Sequence, residues 1–122
     1  ESEVPPVIKE KMVAATSSQT TRSRSRTGKH SRQLVSEWTK AWETEVAPDP
    51  LPLPLQPMVV EPALAKVNKL AESGHEGAKK LSTYWVGQGV GLMNQTISAS
   101  DVVQEFKEDF IEAYERLAEF IK

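Results

Sequence analysis

Hydrophobic positions along the chain recur at two different periods. Val7, Ile8, Met12 and Ala15 follow Pro5 and Pro6 at helical spacing, which predicts a short helix with proline in its first turn, where a missing N–H is tolerated. The run TSSQTTRSRSRT over residues 16–27 changes to period two. Arg22, Arg24 and Arg26 alternate there with Ser23 and Ser25, and a strand would set all three guanidinium groups on one face. Gly28 breaks the run, and from Ser31 the positions Leu34, Val35, Trp38 and Trp42 predict a second helix with two indoles on its apolar stripe. Residues 47–57, APDPLPLPLQP, hold Pro48, Pro50, Pro52, Pro54 and Pro57 too densely for a helix or a central strand, and predict extended or turn backbone. The alternating Leu51, Leu53 and Leu55 imply that this segment lies against a surface.

A third helix is expected over residues 61–72, with Pro62 in its first turn and Leu64, Val67, Leu70 and Ala71 on one side. A loop should follow over residues 73–77, then a further helical turn within 79–85. Gly87, Gly89 and Gly91 alternate after it, and let backbone approach a neighbour or a ligand closely. The clearest element is the last: Ser98 with Asp101 resembles a capping box, and Val102, Val103, Phe106, Phe110, Ala113, Leu117, Phe120 and Ile121 form one continuous helical stripe. Its opposite face carries Glu105, Glu108, Asp109, Glu112, Glu115 and Glu119, so this helix is acidic while the stretch from Thr20 to Lys40 is basic.

Composition narrows the class. With 122 residues there is room for one modest domain and not for a complete barrel enzyme of about 250 residues. Hydrophobic residues at 39% and charged residues at 26% fit a globular chain, and the absence of Cys excludes disulfides, thiolate nucleophiles and Cys-bound zinc. The most apolar stretch, around residues 84–93, is far shorter than the roughly 20 residues of a membrane span, and no signal-peptide pattern opens the chain, so a soluble, cytoplasmic protein is expected. The chain starts at Glu1 with no initiator Met, in sequence that reads as mid-domain, which suggests a piece of something longer.

Candidate chemistry is sparse. Clustered cations at Arg22, Arg24, Arg26, Lys29 and Arg32 could meet a polyanion, but the run is short, the net charge is −2 and no aromatic residue is interleaved to stack on bases. A solvated or ion-paired strand face is the expected reading. The glycine cluster lacks the G-x-G-x-x-G spacing of a dinucleotide loop. Tyr84 and Trp85 precede it and Gln88 lies inside it; rings and a carboxamide beside permissive backbone suit a ligand pocket, and equally a tight turn capping a core. His30 and His75 read as exposed loop residues, and neither metal spacing nor a nucleophile motif is present. The residues alone assemble no catalytic centre.

Three features in order, TTRSRSRTGKHSRQLVSEW, APDPLPLPLQP and STYWVGQGVGLM followed by the acidic helix, resemble the C-terminal third of FMN-dependent nitronate monooxygenases, formerly called 2-nitropropane dioxygenases. The matching positions are Thr21 and Arg22, Gly28 and Arg32, Trp38, Pro52 to Gln56, and Trp85, Gly87, Gln88 and Gly89, within residues 5–103. The resemblance implies a mostly α fold with a short β segment, the C-terminal fragment of a TIM-barrel (β/α)8 flavoenzyme. Residues 1–85 would be its small α/β covering domain, residues 86–97 a Gly-rich crossing loop, and residues 98–122 the helix returning to the absent barrel. It implies that Tyr84, Trp85, Gln88 and Gly89 line the FMN and substrate cavity, while the family's phosphate-binding loops and catalytic His lie in barrel strands before Glu1.

The parent activity that the resemblance implies is oxidation of alkyl nitronates with oxygen to a carbonyl compound and nitrite. Relatives that use a nicotinamide cofactor to reduce enoyl or quinone substrates are the alternative. The 122 residues alone should be inactive, with no catalytic or metal-binding residue of their own; the parent's partners would be a small-molecule substrate and, in some assemblies, further copies of itself, with no nucleic acid and no membrane. An expectation of another class is a small helical interaction module whose Arg–Ser strand meets an acidic partner or nucleic acid. The two readings differ at the last helix: a self-contained module should bury its Phe106, Phe110, Leu117 and Phe120 face, and a fragment should leave it partly exposed.

Overall fold

The computed structural model describes residues 1–121. Among them it contains five α-helices, α1 (Pro6–Ala14), α2 (Glu37–Ala41), α3 (Leu55–Glu72), α4 (Glu76–Leu81) and α5 (Ala99–Glu119), two strands, β1 (Thr20–Ser23) and β2 (Ser31–Leu34), and a 3-10 turn at Gln88–Leu92. The fold is therefore mostly helical with one two-stranded sheet. The chain divides into two compact units: Val4–Asn94, and Glu1–Glu3 together with the chain from Gln95 onward.

In the larger unit, α1 starts where Pro5 and Pro6 predict, and its Val7 and Ile8 are buried with Ala71 of α3 and Ala78 of α4. Val4, Met12, Val67 and Tyr84 pack around that cluster. Most of the other departures from the sequence reading occur where a turn or a cap overrides periodicity. β1 and β2 pair antiparallel, Thr20 opposite Leu34 through Ser23 opposite Ser31. The strand thus stops at Ser23, and Arg24 and Arg26 leave it: the Gly28 N–H closes back on the Arg24 carbonyl at 2.9 Å, with Gly28 in the left-handed region at φ 78°. The alternation of Arg and Ser continues through this turn but places no common face.

Residues 31–34, expected as helix, are strand, and α2 begins only after Ser36. That serine caps the helix in a reciprocal box with Thr39: the Ser36 N–H donates to Thr39 Oγ1 at 2.9 Å and the Thr39 N–H to Ser36 Oγ at 3.4 Å. Trp38 and Trp42 still meet at i, i+4, their ring centroids 6.1 Å apart. α3 starts six residues earlier than expected. Pro54 is its N-cap and Pro57 stands in its first turn, positions whose missing N–H has no helical partner to lose, so proline density misled the reading. Pro62 sits inside the helix instead of opening it.

α4 is capped by His75, whose Nδ1 accepts the Ala78 N–H at 3.1 Å, so the helix occupies the expected loop and residues 82–86 run extended instead. That extended segment adds to the free edge of β2. The Leu34 N–H donates to the Tyr84 carbonyl at 3.0 Å and the Val86 N–H to the Arg32 carbonyl at 3.2 Å, with Gln33 opposite Trp85. The buried Thr83 hydroxyl donates to the Leu34 carbonyl at 2.7 Å.

In the smaller unit, α5 is capped by Ser98 as its sequence predicts: the Asp101 N–H donates to Ser98 Oγ at 3.1 Å, and the Ser98 hydroxyl to Asp101 Oδ2 at 2.7 Å. No residue of α5 is buried; Phe106 is 70% and Phe110 74% exposed, and a groove lined by Val103, Phe106, Lys107, Phe110 and Ile111 follows this face. No helix among the described residues is long and apolar enough to cross a membrane.

The glycines divide by the space around them. A Cβ on Gly28 would overlap the Leu51 carbonyl oxygen and the backbone there is left-handed, whereas a Cβ on Gly89 meets nothing within 4 Å. Gly28→Ala is therefore expected to lower unfolding free energy by more than about 1 kcal/mol, and Gly89→Ala to change it by less than about 0.5 kcal/mol. Urea denaturation of the two variants against the parent chain measures the contrast.

Candidate functional site

The segment with the densest side-chain chemistry is where the Arg–Ser turn, α3 and the extended residues 82–86 converge. Arg26 is only 6% exposed. Burying a guanidinium requires partners for its charge and its N–H groups, and α3 supplies the main one. Arg26 Nε donates to Glu61 Oε1 at 2.6 Å and Nη2 to Glu61 Oε2 at 2.9 Å, a two-point pair that uses one edge of the fork. The same group lies over the Trp85 indole, with Cζ 3.6 Å from the ring centroid, and 5.5 Å from that of Tyr84. Arg26 Nη1 is buried without a hydrogen-bond partner among the described residues.

Why the turn sits here follows from Gln56. Its carboxamide can donate and accept at once. Nε2 donates to the Ser25 carbonyl at 2.7 Å, and Oε1 accepts the Leu51 N–H at 2.9 Å. One buried side chain at the start of α3 thus joins the Arg turn to the Pro–Leu segment. That segment does lie against a surface, through its backbone; Leu51, Leu53 and Leu55 all remain exposed. Ser23, Ser25, Gln33 and Gln56 are buried with Arg26, which makes this part of the interior polar.

Trp85 is 41% exposed, with Tyr84 edge-on to it at 5.9 Å between centroids. Its backbone faces Gln33 at a pair that exchanges no hydrogen bonds of its own, the closer of the two antiparallel pairings, so the two side chains share a face. Gln33 Nε2 donates to Ser31 Oγ at 3.2 Å, and its Oε1 is buried without a hydrogen-bond partner among the described residues.

Of the positions singled out from sequence, the structure brings Tyr84 and Trp85 into ring contact. Tyr84 packs inward on the Val7 and Ile8 cluster, and Trp85 turns partly to solvent. Gln88 and Gly89 are exposed on the 3-10 turn that follows. Of Gly87, Gly89 and Gly91, it is Gly91 that a neighbour requires, since a Cβ there would overlap Ser17, whereas a Cβ on Gly89 meets nothing within 4 Å. His30 and His75 are exposed, and the described residues contain no cluster of His, Asp or Glu that could hold a metal ion. The basic residues form no single face: Arg22, Arg24 and Lys29 are exposed, Arg32 is half-buried and bonds the Thr20 hydroxyl at 2.9 Å, and Arg26 is inside. The sequence reading named Gln56 only as the end of the Pro52 to Gln56 match and Glu61 only as the start of a helix, and gave neither a role in a site, because a carboxylate and a carboxamide on a helix look the same whether they face solvent or a buried turn.

The sequence profile of the family described as nitronate monooxygenase matches residues 1–109. The Mycobacterium tuberculosis protein named "Putative monooxygenase Rv1533" is 44% identical over 117 residues, a stretch that covers 96% of this chain and 31% of that protein. The chain thus spans about a third of the length of this curated relative. No solved structure matches it.

The Gln56 bridge yields a direct test. Gln56→Ala leaves the Ser25 carbonyl and the Leu51 N–H without their partner, and is expected to cost about 2–4 kcal/mol in urea unfolding. Gln56→Glu, which keeps the acceptor for Leu51 but sets a buried carboxylate oxygen against the Ser25 carbonyl, should be destabilised at neutral pH at least as much as Gln56→Ala.

Proposed function

The chain belongs to the nitronate monooxygenase family, and from that premise we propose that it is the part of a flavin-dependent oxidoreductase that covers the cofactor. The Val4–Asn94 unit is then the small covering domain, and α5 the helix that returns to a (β/α)8 barrel contributed by the rest of the parent protein. The reaction proposed for that parent is oxidation of an alkyl nitronate with oxygen to a carbonyl compound and nitrite, in which FMN, when bound, takes up and passes on the electrons.

The observation that carries this reading is the half-exposed Trp85, held from behind by a buried cation and followed by the open backbone at Gly89. An indole with one face covered by the protein and its remainder free offers a rigid apolar wall to a planar ring. Gln88, exposed on the same 3-10 turn, can both donate to and accept from polar edges of a ligand. The residues present fit one wall of a flavin and substrate cavity: Trp85 and Tyr84 supply its apolar part, and Gln88 and the Gly89 backbone its polar part. Their work is to orient the substrate and exclude water. Exposure of the α5 apolar stripe also supports the reading, because a helix of this kind needs a surface to cover it.

Flavin titration is the test. The 122 residues alone are expected to show no tight, stoichiometric uptake of FMN by absorbance or fluorescence, while the parent protein purifies with bound flavin. In the parent, Trp85→Ala should lower kcat/KM for a small alkyl nitronate by roughly tenfold or more at unchanged flavin content. Stoichiometric FMN binding by the isolated chain, or a parent without flavin, contradicts the proposal.

A further inference from the structure

We propose that Arg26 is a positioning residue that sets the orientation of the Trp85 indole, with Glu61 holding the guanidinium in the required plane. The proposal deepens the reading of Trp85 as a cavity wall and rests on that reading for its functional consequence.

Trp85 is fixed along its backbone by the ladder to β2, which leaves the two side-chain torsions of the indole to be decided by what touches the ring. Arg26 lies against its face at 3.6 Å and Tyr84 meets it edge-on. Neither the angle of the Arg26 plane nor its distance from the ring is left to Arg26 alone. Glu61 grips Nε and Nη2 together, and a two-point contact fixes a plane where a single hydrogen bond would permit rotation. Gln56, one helical turn and a half before Glu61 on α3, holds the Ser25 carbonyl beside Arg26, so the helix that orients the guanidinium also anchors the turn that presents it. Lysine could neither stack a planar cation on the ring nor meet a carboxylate at two points.

The unpartnered Nη1 favours positioning over a purely structural ion pair. Burying a guanidinium with one N–H unmatched, against a carboxylate that keeps 40% of its side chain in solvent, is a poor route to stability, since apolar residues of similar volume often serve as well or better. Here the charge and the planarity are both used, one on Glu61 and the other on Trp85.

The test labels the 122-residue chain with 5-fluorotryptophan and follows its three indole resonances by 19F NMR, with Trp85 assigned from Trp85→Phe. In Arg26→Met and Arg26→Lys the Trp85 resonance should move towards its denatured position and change its linewidth, while those of Trp38 and Trp42 stay in place. An unchanged Trp85 resonance in a folded Arg26→Met chain overturns the proposal. Should Arg26→Met unfold, so that all three resonances collapse together, Glu61→Gln decides: it loosens the guanidinium without removing it, and a Trp85 resonance left unmoved there overturns the proposal equally. The functional arm uses the parent enzyme, where Arg26→Lys should raise KM for the nitronate severalfold with kcat changed less than about twofold. If the NMR shift is seen but Trp85→Phe leaves KM untouched, positioning stands and the cavity reading fails.

Discussion

A buried guanidinium cannot be left to itself, and in this chain the need to neutralise and hold Arg26 brings three distant segments together. Glu61 comes from α3, Trp85 from the extended stretch after α4, and Arg26 itself from the turn closed by Gly28. Two of the contacts are specific in direction: a fork meeting a carboxylate, and a cation lying over an indole. The second is worth roughly 0.5–2 kcal/mol in such surroundings, enough to bias a side chain's orientation though modest against the stability of a domain. Hydrophobic burial around Val7, Ile8, Ala71 and Ala78 holds α1, α3 and α4 together, and the polar nest around Arg26 decides how the Arg turn and Trp85 sit beside them.

That division explains why one unit has an interior rich in polar groups. Ser23, Ser25, Gln33 and Gln56 are buried, and most of their polar side-chain atoms have a hydrogen-bond partner. Such a network specifies geometry more than it adds stability, since each partner lost exposes a cost that no packing recovers. α5 is the opposite case. Its amphipathic pattern is strong, its cap is satisfied, and its apolar stripe is uncovered. Local physics makes it a helix; what covers it is a matter for the proposed barrel.

The parts of this arrangement that are legible in sequence are those fixed locally. The proline-led start of α1 and the Ser98 cap of α5 follow from residues within one turn of each other. The ordered resemblance to nitronate monooxygenases was legible too, and the family profile agrees with it. What escaped were pairings across sequence distance. Ser31 to Leu34 carry a pattern that suits a helix, and only their pairing with Thr20 to Ser23 on one edge and with residues 84–86 on the other makes them β. Arg26 continues an alternation that suits an exposed strand face, and only Gly28 and Glu61 turn it inward. Prolines at 54 and 57 read as helix breakers unless their place in the first turn of α3 is already known.

The most direct measure of the central interaction is a double-mutant cycle on the pair, with Arg26→Met, Glu61→Leu and the combined variant compared by urea unfolding. Glu61 keeps 40% of its side chain in solvent, which discounts the pair relative to a fully buried one. Even so, each single change leaves its partner's charge uncompensated, and the two are expected to couple by at least about 1 kcal/mol, with the double variant less destabilised than the sum of the singles. Additivity within about 0.3 kcal/mol would contradict the account, since Arg26 would then be held by something other than Glu61.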